Sequence, residues 1–447
     1  MVHGRVATAS SVPALFGALV AACSGGPGSN APGSDASVAV DAGDPDDAGG
    51  GGGLDTSWRA RMREGRATGV AVDGAGRVAV SGTVPWLGME AGMVFALDAA
   101  GVERWPLAID SEFDDEAVGI AADAAGNVYV AGVVTAAADL GGGVRPATRF
   151  VASYDSEGGF RWDVLLSWIR VDLRAIAVDP GGRVVVAGCW SGAVDFGGGE
   201  RTSAGDDDLF VLVLDAGGGY VEDALYGTAG RECANAVAVA ADGAIYVGGI
   251  AGNDALVVRF EDGAPAWQKT FAGSSGSGIE EVAGVAVDGA GAVVVAGRFT
   301  AGTDFGGGPR DAGFGPGDPF LARFDAVGAW QWDRVLSGGE GARLDAVAAQ
   351  GDSIVAVGSF SGRLRLDDEV EAVSVLLAGA DRVDGLVAAW DLDGASRWHA
   401  VVDEQDASGS ADDALGAVAI ADDGNVVFAG NTHSAGIPIV FAGGVRP

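Results

Sequence analysis

One short phrase recurs seven times along the chain, and this repeat restricts the chain to few architectures. The first copy runs from Val70 to Gly82 and the second from Ile120 to Gly132. The remaining copies also close on a glycine, at Gly188, Gly249, Gly297, Gly358 and Gly430, so successive copies lie 48 to 72 residues apart. Repeats of this length are typical of propellers and solenoids.

Each copy consists of two runs rich in β-branched residues on either side of a turn rich in Asp, Gly and Asn. Gly and Asn tolerate the positive φ that tight turns require, so the phrase predicts a β-hairpin. A second pair of runs follows in most units, for example 210–215 and 219–220. Helical periodicity is nearly absent. The unit is therefore predicted to be a four-stranded sheet.

An aromatic residue marks the predicted fourth strand of six units: Trp105, Trp162, Tyr220, Trp267, Trp332 and Trp398. The last unit lacks this strand, whereas a segment with Trp58 precedes the first unit. A strand from the N-terminal side could complete the last unit and remove the exposed sheet edges. The sequence thus predicts an all-β fold over 55–447, a seven-bladed β-propeller with four antiparallel strands per blade, closed by an N-terminal strand joining the C-terminal blade. The alternative is a linear β-solenoid with a cap at each end.

Two elements of the repeat resemble a known family. The segment 123–132, Asp-Ala-Ala-Gly-Asn-Val-Tyr-Val-Ala-Gly, is similar to the bacterial beta-propeller repeat called SBBP. So is the element Asp195-Phe196-Gly197-Gly198-Gly199, which recurs at 304–308 and, with Leu for Phe, at 139–143. The resemblance covers about 65–442. It implies a propeller in an exported bacterial protein and implies no single activity.

The first residues resemble the signal peptide of bacterial lipoproteins. An apolar stretch too short to span a bilayer ends in Ala21-Ala22-Cys23, and this ending resembles a lipobox. The resemblance implies a signal peptide at 1–22 and a lipid on Cys23. Residues 23–54 are rich in Gly, Ala and Asp and predict a flexible tether. By the same resemblance, Ser24 after the lipidated cysteine implies location at the outer membrane. The alternative to a lipoprotein signal is an ordinary secretory signal in which Cys23 lies near the cleavage site by chance.

The chain is strongly acidic, with 62 Asp and Glu against 27 Lys and Arg and a formal charge of −35. Such a charge repels a phosphate backbone, so nucleic-acid binding is excluded. Many acids fall in the variable loops between predicted strands. The weak Ca²⁺ candidates among them are Asp110, Asp114, Asp115, Asp206, Asp207, Asp208, Asp412 and Asp413. The alternative is a solvated acidic surface that keeps the protein soluble.

Cysteine and histidine give little sign of catalysis. Cys189 and Cys233 are predicted to form a disulfide in an exported compartment, the alternative being two buried thiols. The three histidines, His3, His399 and His433, lie in no recognisable catalytic motif.

The sequence therefore favours a monomeric, lipid-anchored protein of the cell envelope that binds an envelope protein or glycan through its variable acidic loops, without catalysis. Ca²⁺ is the only cofactor suggested. A second hypothesis is a propeller hydrolase or lyase with a carboxylate or Ca²⁺ site at the mouth of the central channel. In that case a compact cluster of acids with an Asn would lie there. A third hypothesis is a structural surface spacer.

Overall fold

The computed structural model describes 39–41, 58–61, 65–86, 89–111, 113–274, 280–312, 317–366, 371–373, 383–402, 413–432 and 437–443. Within these residues every regular element is a β-strand. The same residues include no helix that is long and apolar enough to cross a membrane. Cys23, Asp412, His3 and His433 lie outside the described residues, as does the predicted signal peptide.

Two strands, β1 (Ala39–Asp41) and β2 (Trp58–Arg61), precede six blades that each contain four main strands. Blade 1 contains β3 (Arg66–Val72), β4 (Val78–Trp86), β5 (Met89–Leu97) and β6 (Glu103–Ile109). Blade 2 contains β7 (Glu116–Ala122), β8 (Val128–Val134), β11 (Thr148–Tyr154) and β12 (Phe160–Leu166), with the small hairpin β9 (Ala138–Asp139) and β10 (Val144–Arg145) inserted. Blade 3 contains β13 (Val171–Val178), β14 (Val184–Trp190), β17 (Asp208–Leu214) and β18 (Tyr220–Tyr226), with the hairpin β15 (Ala193–Asp195) and β16 (Glu200–Thr202) inserted.

The second half of the chain continues the same pattern. Blade 4 contains β19 (Glu232–Val239), β20 (Ile245–Ala251), β21 (Asp254–Glu261) and β22 (Ala264–Phe271). Blade 5 contains β23 (Glu281–Val287), β24 (Val293–Phe299), β27 (Asp318–Phe324) and β28 (Trp330–Val335), with the hairpin β25 (Thr303–Asp304) and β26 (Pro309–Arg310) inserted. Blade 6 contains β29 (Ser337–Gln350), β30 (Ser353–Arg365), β32 (Asp384–Asp391) and β33 (Ser396–Val402), with β31 (Glu371–Val373) paired to β30.

The prediction of seven four-stranded blades is wrong, because six blades are built in this way. The remaining sheet, here called the closing sheet, has five strands taken from both ends of the chain. Its last three strands are β34 (Asp413–Ile420), β35 (Val426–Thr432) and β36 (Ile437–Gly443). The strand order is β1-β2-β36-β35-β34. Strand β1 lies in the segment predicted as a tether, and its pairing with β2 makes this sheet one strand wider than predicted.

The first strands of blades 1 to 6 contact one another in succession, and β34 contacts both β29 and β3. These strands therefore surround the centre of a closed ring, and the molecule is an all-β propeller. The second and third strands of the blades are buried on both faces, as the pattern of β8 and β17 shows. The hydrophobic core lies between neighbouring blades. Trp105 of blade 1, for example, shares a cluster with Ile120 and Phe150 of blade 2.

Aspartates hold the tight turns at one face of the ring, here called the turn face. In the first repeat the Asp73 Oδ1 accepts hydrogen bonds from the Ala75 and Arg77 amides at 2.8 and 2.9 Å. Gly76, at φ +75°, supplies the left-handed residue that this turn requires. The same pattern at Asp123, Asp155, Asp215 and Asp391 explains why the repeat begins its turns with Asp. The opposite face carries the variable connections and is here called the loop face.

An indole on the fourth strand joins each of four blades to the next. The Trp105 Nε1 donates to the Ser156 carbonyl of blade 2 at 3.1 Å, and the Trp162 Nε1 donates to the Ala216 carbonyl of blade 3 at 3.0 Å. Trp267 and Trp332 make the same contact to blades 5 and 6.

Blade 3 departs from this pattern. In blade 2, Trp162 pairs with Ser153. The equivalent pair in blade 3 is Glu222 with Val213, so Glu222 occupies the position of the tryptophan. Tyr220 is instead equivalent to Phe160. Tyr220 thus lies on the fourth strand, as predicted, but at a different register position from Trp162, and among the described residues the seam between blades 3 and 4 has no equivalent indole.

Candidate binding site at the loop face

The closing glycine of each repeat allows a β-bulge at the centre of the ring. In every first strand from β3 to β34 one extra residue interrupts the pairing with the second strand, as between Leu173 and Ala175. A Cβ at Gly188 would lie 1.9 Å from the Asp172 carbonyl oxygen, and one at Gly82 would lie 2.3 Å from that of Arg66. The glycine is thus needed because the first strand passes so close. Bulges re-aim side chains.

Polar side chains next to these bulges connect neighbouring blades at the mouth of the central channel. The Arg174 Nη1 donates to the Asn235 Oδ1 of blade 4 at 3.0 Å. The Asn235 Nδ2 in turn donates to the Val282 carbonyl of blade 5 at 3.1 Å. The Asn431 Oδ1 of the closing sheet accepts the Ala67 amide of blade 1 at 2.8 Å. These bonds fix the polar groups of the mouth in place.

Ion pairs dominate the charge of this mouth. Arg66 pairs with Glu116 at 3.0 Å, and Arg174 pairs with Asp172 at 2.9 Å. On the other side of the ring Arg298 pairs with Glu281 at 2.9 Å, and Arg343 pairs with Asp345 at 2.8 Å. Each of these four acids has an arginine partner, so charge of both signs is dispersed around the mouth.

The surroundings of Asp345 at the mouth shift the pKa of its carboxyl group. Burial raises the pKa of its carboxyl group above the ordinary value, and the nearby Glu281 adds to the rise. Arg343 and Arg298 oppose this shift without cancelling it. A carboxyl group with a raised pKa at a channel mouth is a feature that some catalytic sites share.

The loop with three of the Ca²⁺ candidates uses two of them for its own folding. Asp115 is buried, and its carboxylate accepts the Ser111 amide at 2.5 Å and the Thr135 amide at 2.8 Å. The Asp114 Oδ1 accepts the Glu90 amide at 2.9 Å. Burial, and then the charge of Asp115, raises the pKa of Asp110. Amide donors therefore already occupy carboxylate oxygens that a Ca²⁺ ion would need.

The second acidic loop shows the same use of its carboxylates. Asp208 is buried and accepts the Ala204 amide at 2.5 Å. Asp207 pairs with Arg231 at 3.1 Å. The structure does not bring these acids together with those of the first loop. Asp413 begins β34, but its side chain lies outside the described residues.

Cys189 and Cys233 form a disulfide that joins blade 3 to blade 4, with their Cα atoms 4.8 Å apart. Both are buried. Their sulfur atoms and Asp207 are the one cluster of three potential metal ligands among the described residues, and the disulfide removes both sulfurs as ligands. The bridge spans 44 residues of sequence. Closing a loop of this length lowers the entropy of the unfolded chain and should raise the free energy of unfolding by about 3 to 4 kcal/mol.

His399 is the single histidine that the described ranges contain, and it lies far from the mouth. It sits on β33, the outermost strand of blade 6, opposite Ala388. Burial lowers its pKa. The geometry does not bring it into the ring of ion pairs described above.

Comparison with known proteins gives only distant structural likenesses. No family model matches it, and no curated protein matches it in sequence. Sqt1 from Chaetomium thermophilum is 12% identical, with 86% of this chain and 97% of that chain covered at a TM-score of 0.45. The beta-propeller domain of the Trilobed protease from Pyrococcus furiosus is 9% identical, with 86% and 95% covered at 0.45. The NanB sialidase from Streptococcus pneumoniae is 10% identical, with 85% and 68% covered at 0.42.

At these identities and TM-scores the likenesses carry no argument about activity. The strand pairing of the chain itself establishes the β-propeller.

The charged ring at the mouth was not predicted from the sequence. Most of its members stand on the bulged residue of a first strand or two residues before it, a few residues ahead of the recurring phrase, whereas Arg298 directly follows the closing glycine of its repeat. Aligning the residues that precede each copy would have placed Arg66, Glu116 and Asp172 in one column and Arg174, Asn235 and Asp345 in another. The bulge itself gave no signal other than the closing glycine.

Proposed function

We propose that this propeller is an exported, lipid-anchored protein of the cell envelope that binds an envelope protein or glycan through its loop face without catalysis. The observation that carries the proposal is that the four described acids of the mouth, Glu116, Asp172, Glu281 and Asp345, are each paired with an arginine. A general base or nucleophile needs a carboxylate that can reach the substrate, and these carboxylates are engaged by guanidinium groups. A surface with fixed charges of both signs favours recognition by complementary charge.

The envelope location rests on the sequence. The resemblance of Ala21-Ala22-Cys23 to a lipobox supports an anchor, and Ser24 supports the outer membrane. Labelled palmitate should be incorporated into the full chain and not into the Cys23→Ser variant. Equal labelling of both proteins would contradict the anchor and leave the binding proposal untouched.

Binding is tested with a variant that changes the mouth without changing its net charge. The double substitution D172R/R174D exchanges the two members of one ion pair. We expect the full wild-type chain to retain a defined set of envelope components, and the exchanged variant to lose them by about tenfold or more while remaining folded. Equal retention would show that the mouth takes no part in binding.

A second candidate function is hydrolysis or bond elimination, which the raised pKa of Asp345 favours. The test is turnover of chromogenic glycoside and ester substrates by the wild-type chain and by Asp345→Asn. We expect no turnover by either protein. Turnover that Asp345→Asn abolishes would replace the binding proposal with an enzyme.

A further inference from the structure

The connection between blades 2 and 3 presents two large apolar side chains to solvent on the loop face. Trp168 is 45% exposed and Ile169 is 84% exposed. Phe113, on the neighbouring connection between blades 1 and 2, is 55% exposed. The two connections lie side by side because each leads directly into a first strand, β7 or β13, and these strands are in contact. Trp168 and Ile169 are adjacent in sequence and both exposed, which is a feature of protein interaction sites.

The loop that carries Trp168 is fixed at both ends. The Val171 amide donates to the Ser167 carbonyl at 3.2 Å and closes a single turn. The Ser191 amide donates to the Arg170 carbonyl at 3.0 Å, and the Arg170 Nη1 donates to the Ser191 carbonyl at 3.3 Å. The exposed side chains are therefore held out from a fixed backbone, which lowers the entropy lost when a partner binds.

The charged side chain on this loop and two of those next to it are arginines, although the chain as a whole is acidic. Arg170 is exposed at the end of the turn. Arg149 and Arg174 lie on either side of Asp172, at 3.6 and 2.9 Å, and share its single negative charge. Arg149 and Arg174 thus share one aspartate, and Arg170 adds a third positive charge, in a chain of formal charge −35. A positive patch around an exposed tryptophan fits a partner with carboxylates next to an apolar side chain.

We propose that Trp168, Ile169 and the adjoining arginines form a docking surface for an acidic protein segment with an apolar anchor. This proposal rests on the proposed binding function and names its partner class. A lipid bilayer fits less well, because a flat anionic membrane would also meet Asp110, Asp114 and Asp206 on the same face. A short segment meets only the local charge, since screening limits interactions to about 10 Å.

The test uses the full chain and three short synthetic peptides. One peptide has a single Phe flanked by Glu, the second replaces Phe with Gly, and the third replaces Glu with Lys. We expect fluorescence anisotropy to show binding of the first peptide that is about tenfold tighter or more than that of the other two. The W168S/I169S variant should lose this preference. The Val327→Ser variant should keep it, because Val327 is 79% exposed in a turn of the opposite face.

Three results would overturn the proposal. One is equal binding of the acidic peptide by W168S/I169S and the wild type, and another is tighter binding of the Lys peptide. The third is binding to phosphatidylglycerol vesicles that W168S/I169S abolishes, with no discrimination among peptides, which would place a membrane on this surface. If envelope components are retained equally by W168S/I169S and the wild type but are lost in D172R/R174D, the docking surface is wrong and the proposed function stands.

Discussion

Gly188 illustrates how a single residue determines the shape of the channel mouth. Its backbone does not have positive φ, so it is required for space and not for conformation. Because the atom nearest to an added Cβ is the backbone carbonyl of Asp172, the clash cannot be relieved by turning a side chain. The bulge that places Arg174 toward blade 4 depends on this close approach.

We expect Gly188→Ala to lower the free energy of unfolding by about 3 kcal/mol, because the first strand must move away. Gly416→Ala is the matched control, since Gly416 occupies the bulge of β34 and an added Cβ would have no neighbour within 4 Å. Its effect should stay within about 0.5 kcal/mol. Denaturant midpoints measure both changes. Equal losses would show that the repeat does not need the closing glycine for space.

Neighbouring blades are joined in more than one way. At the seam between blades 2 and 3, the Trp162 indole packs on the turn at Gly218 and lies 5.9 Å from the Tyr129 ring. At the seam between blades 3 and 4, Glu222 replaces the indole and the facing turn is shortened to Asp262 and Gly263. The disulfide crosses that same seam at the loop face. The covalent bond thus lies where the indole is missing.

Trp162→Ala should cost about 2 to 4 kcal/mol in unfolding free energy, from lost packing and a lost hydrogen bond. Glu222→Ala changes the equivalent position of blade 3 and should cost less than about 0.5 kcal/mol. Denaturant unfolding measures both changes. It is monitored by far-ultraviolet circular dichroism and not by tryptophan fluorescence, because one variant lacks a tryptophan. A loss at Glu222 as large as that at Trp162 would mean that the indole does not stabilise the seam.

The first two strands of each sheet could be predicted, because each copy of the recurring phrase forms one hairpin. Turn residues such as Asp73 and Gly76 act locally, so their pattern is visible in sequence. Tyr220 was correctly predicted on a fourth strand, but its residue type does not give its register, whereas its distance from Asp215 gives the equivalence with Phe160. The blade number failed for a different reason. The segments that form β2 and β36 were predicted to complete the last sheet, but β1 lies in a segment rich in Gly, Ala and Asp that predicts a flexible tether, so its addition to the sheet was missed.

Across the whole molecule, some of the acidic side chains are buried and do not face solvent. Asp115 and Asp208 accept amide hydrogen bonds inside their loops, and neither could be recognised from sequence because both stand in runs of acids that look solvated. A Ca²⁺ ion bound only to the folded state would raise the melting temperature. Because these carboxylates are already engaged, we expect the melting temperatures in Ca²⁺ and in EDTA to agree within about 1 °C.

Asp115→Asn serves as the control for this prediction. It should lower the melting temperature equally in Ca²⁺ and in EDTA, because the carboxylate stabilises its loop through amide donors. A higher melting temperature in Ca²⁺ that Asp115→Asn removes would instead place a Ca²⁺ ion in that loop.

The closing sheet also sets a time order for assembly. Strand β2 pairs with β36, and about 375 residues separate them along the chain. At roughly 5 to 20 residues per second, the ribosome needs about 20 to 75 seconds after β2 before β36 exists. During that interval the edge of β2 that β36 later covers has no native partner, although blades 1 to 6 can form in turn. Ring closure is therefore a late event, and an early stop in translation would release an open arc of blades.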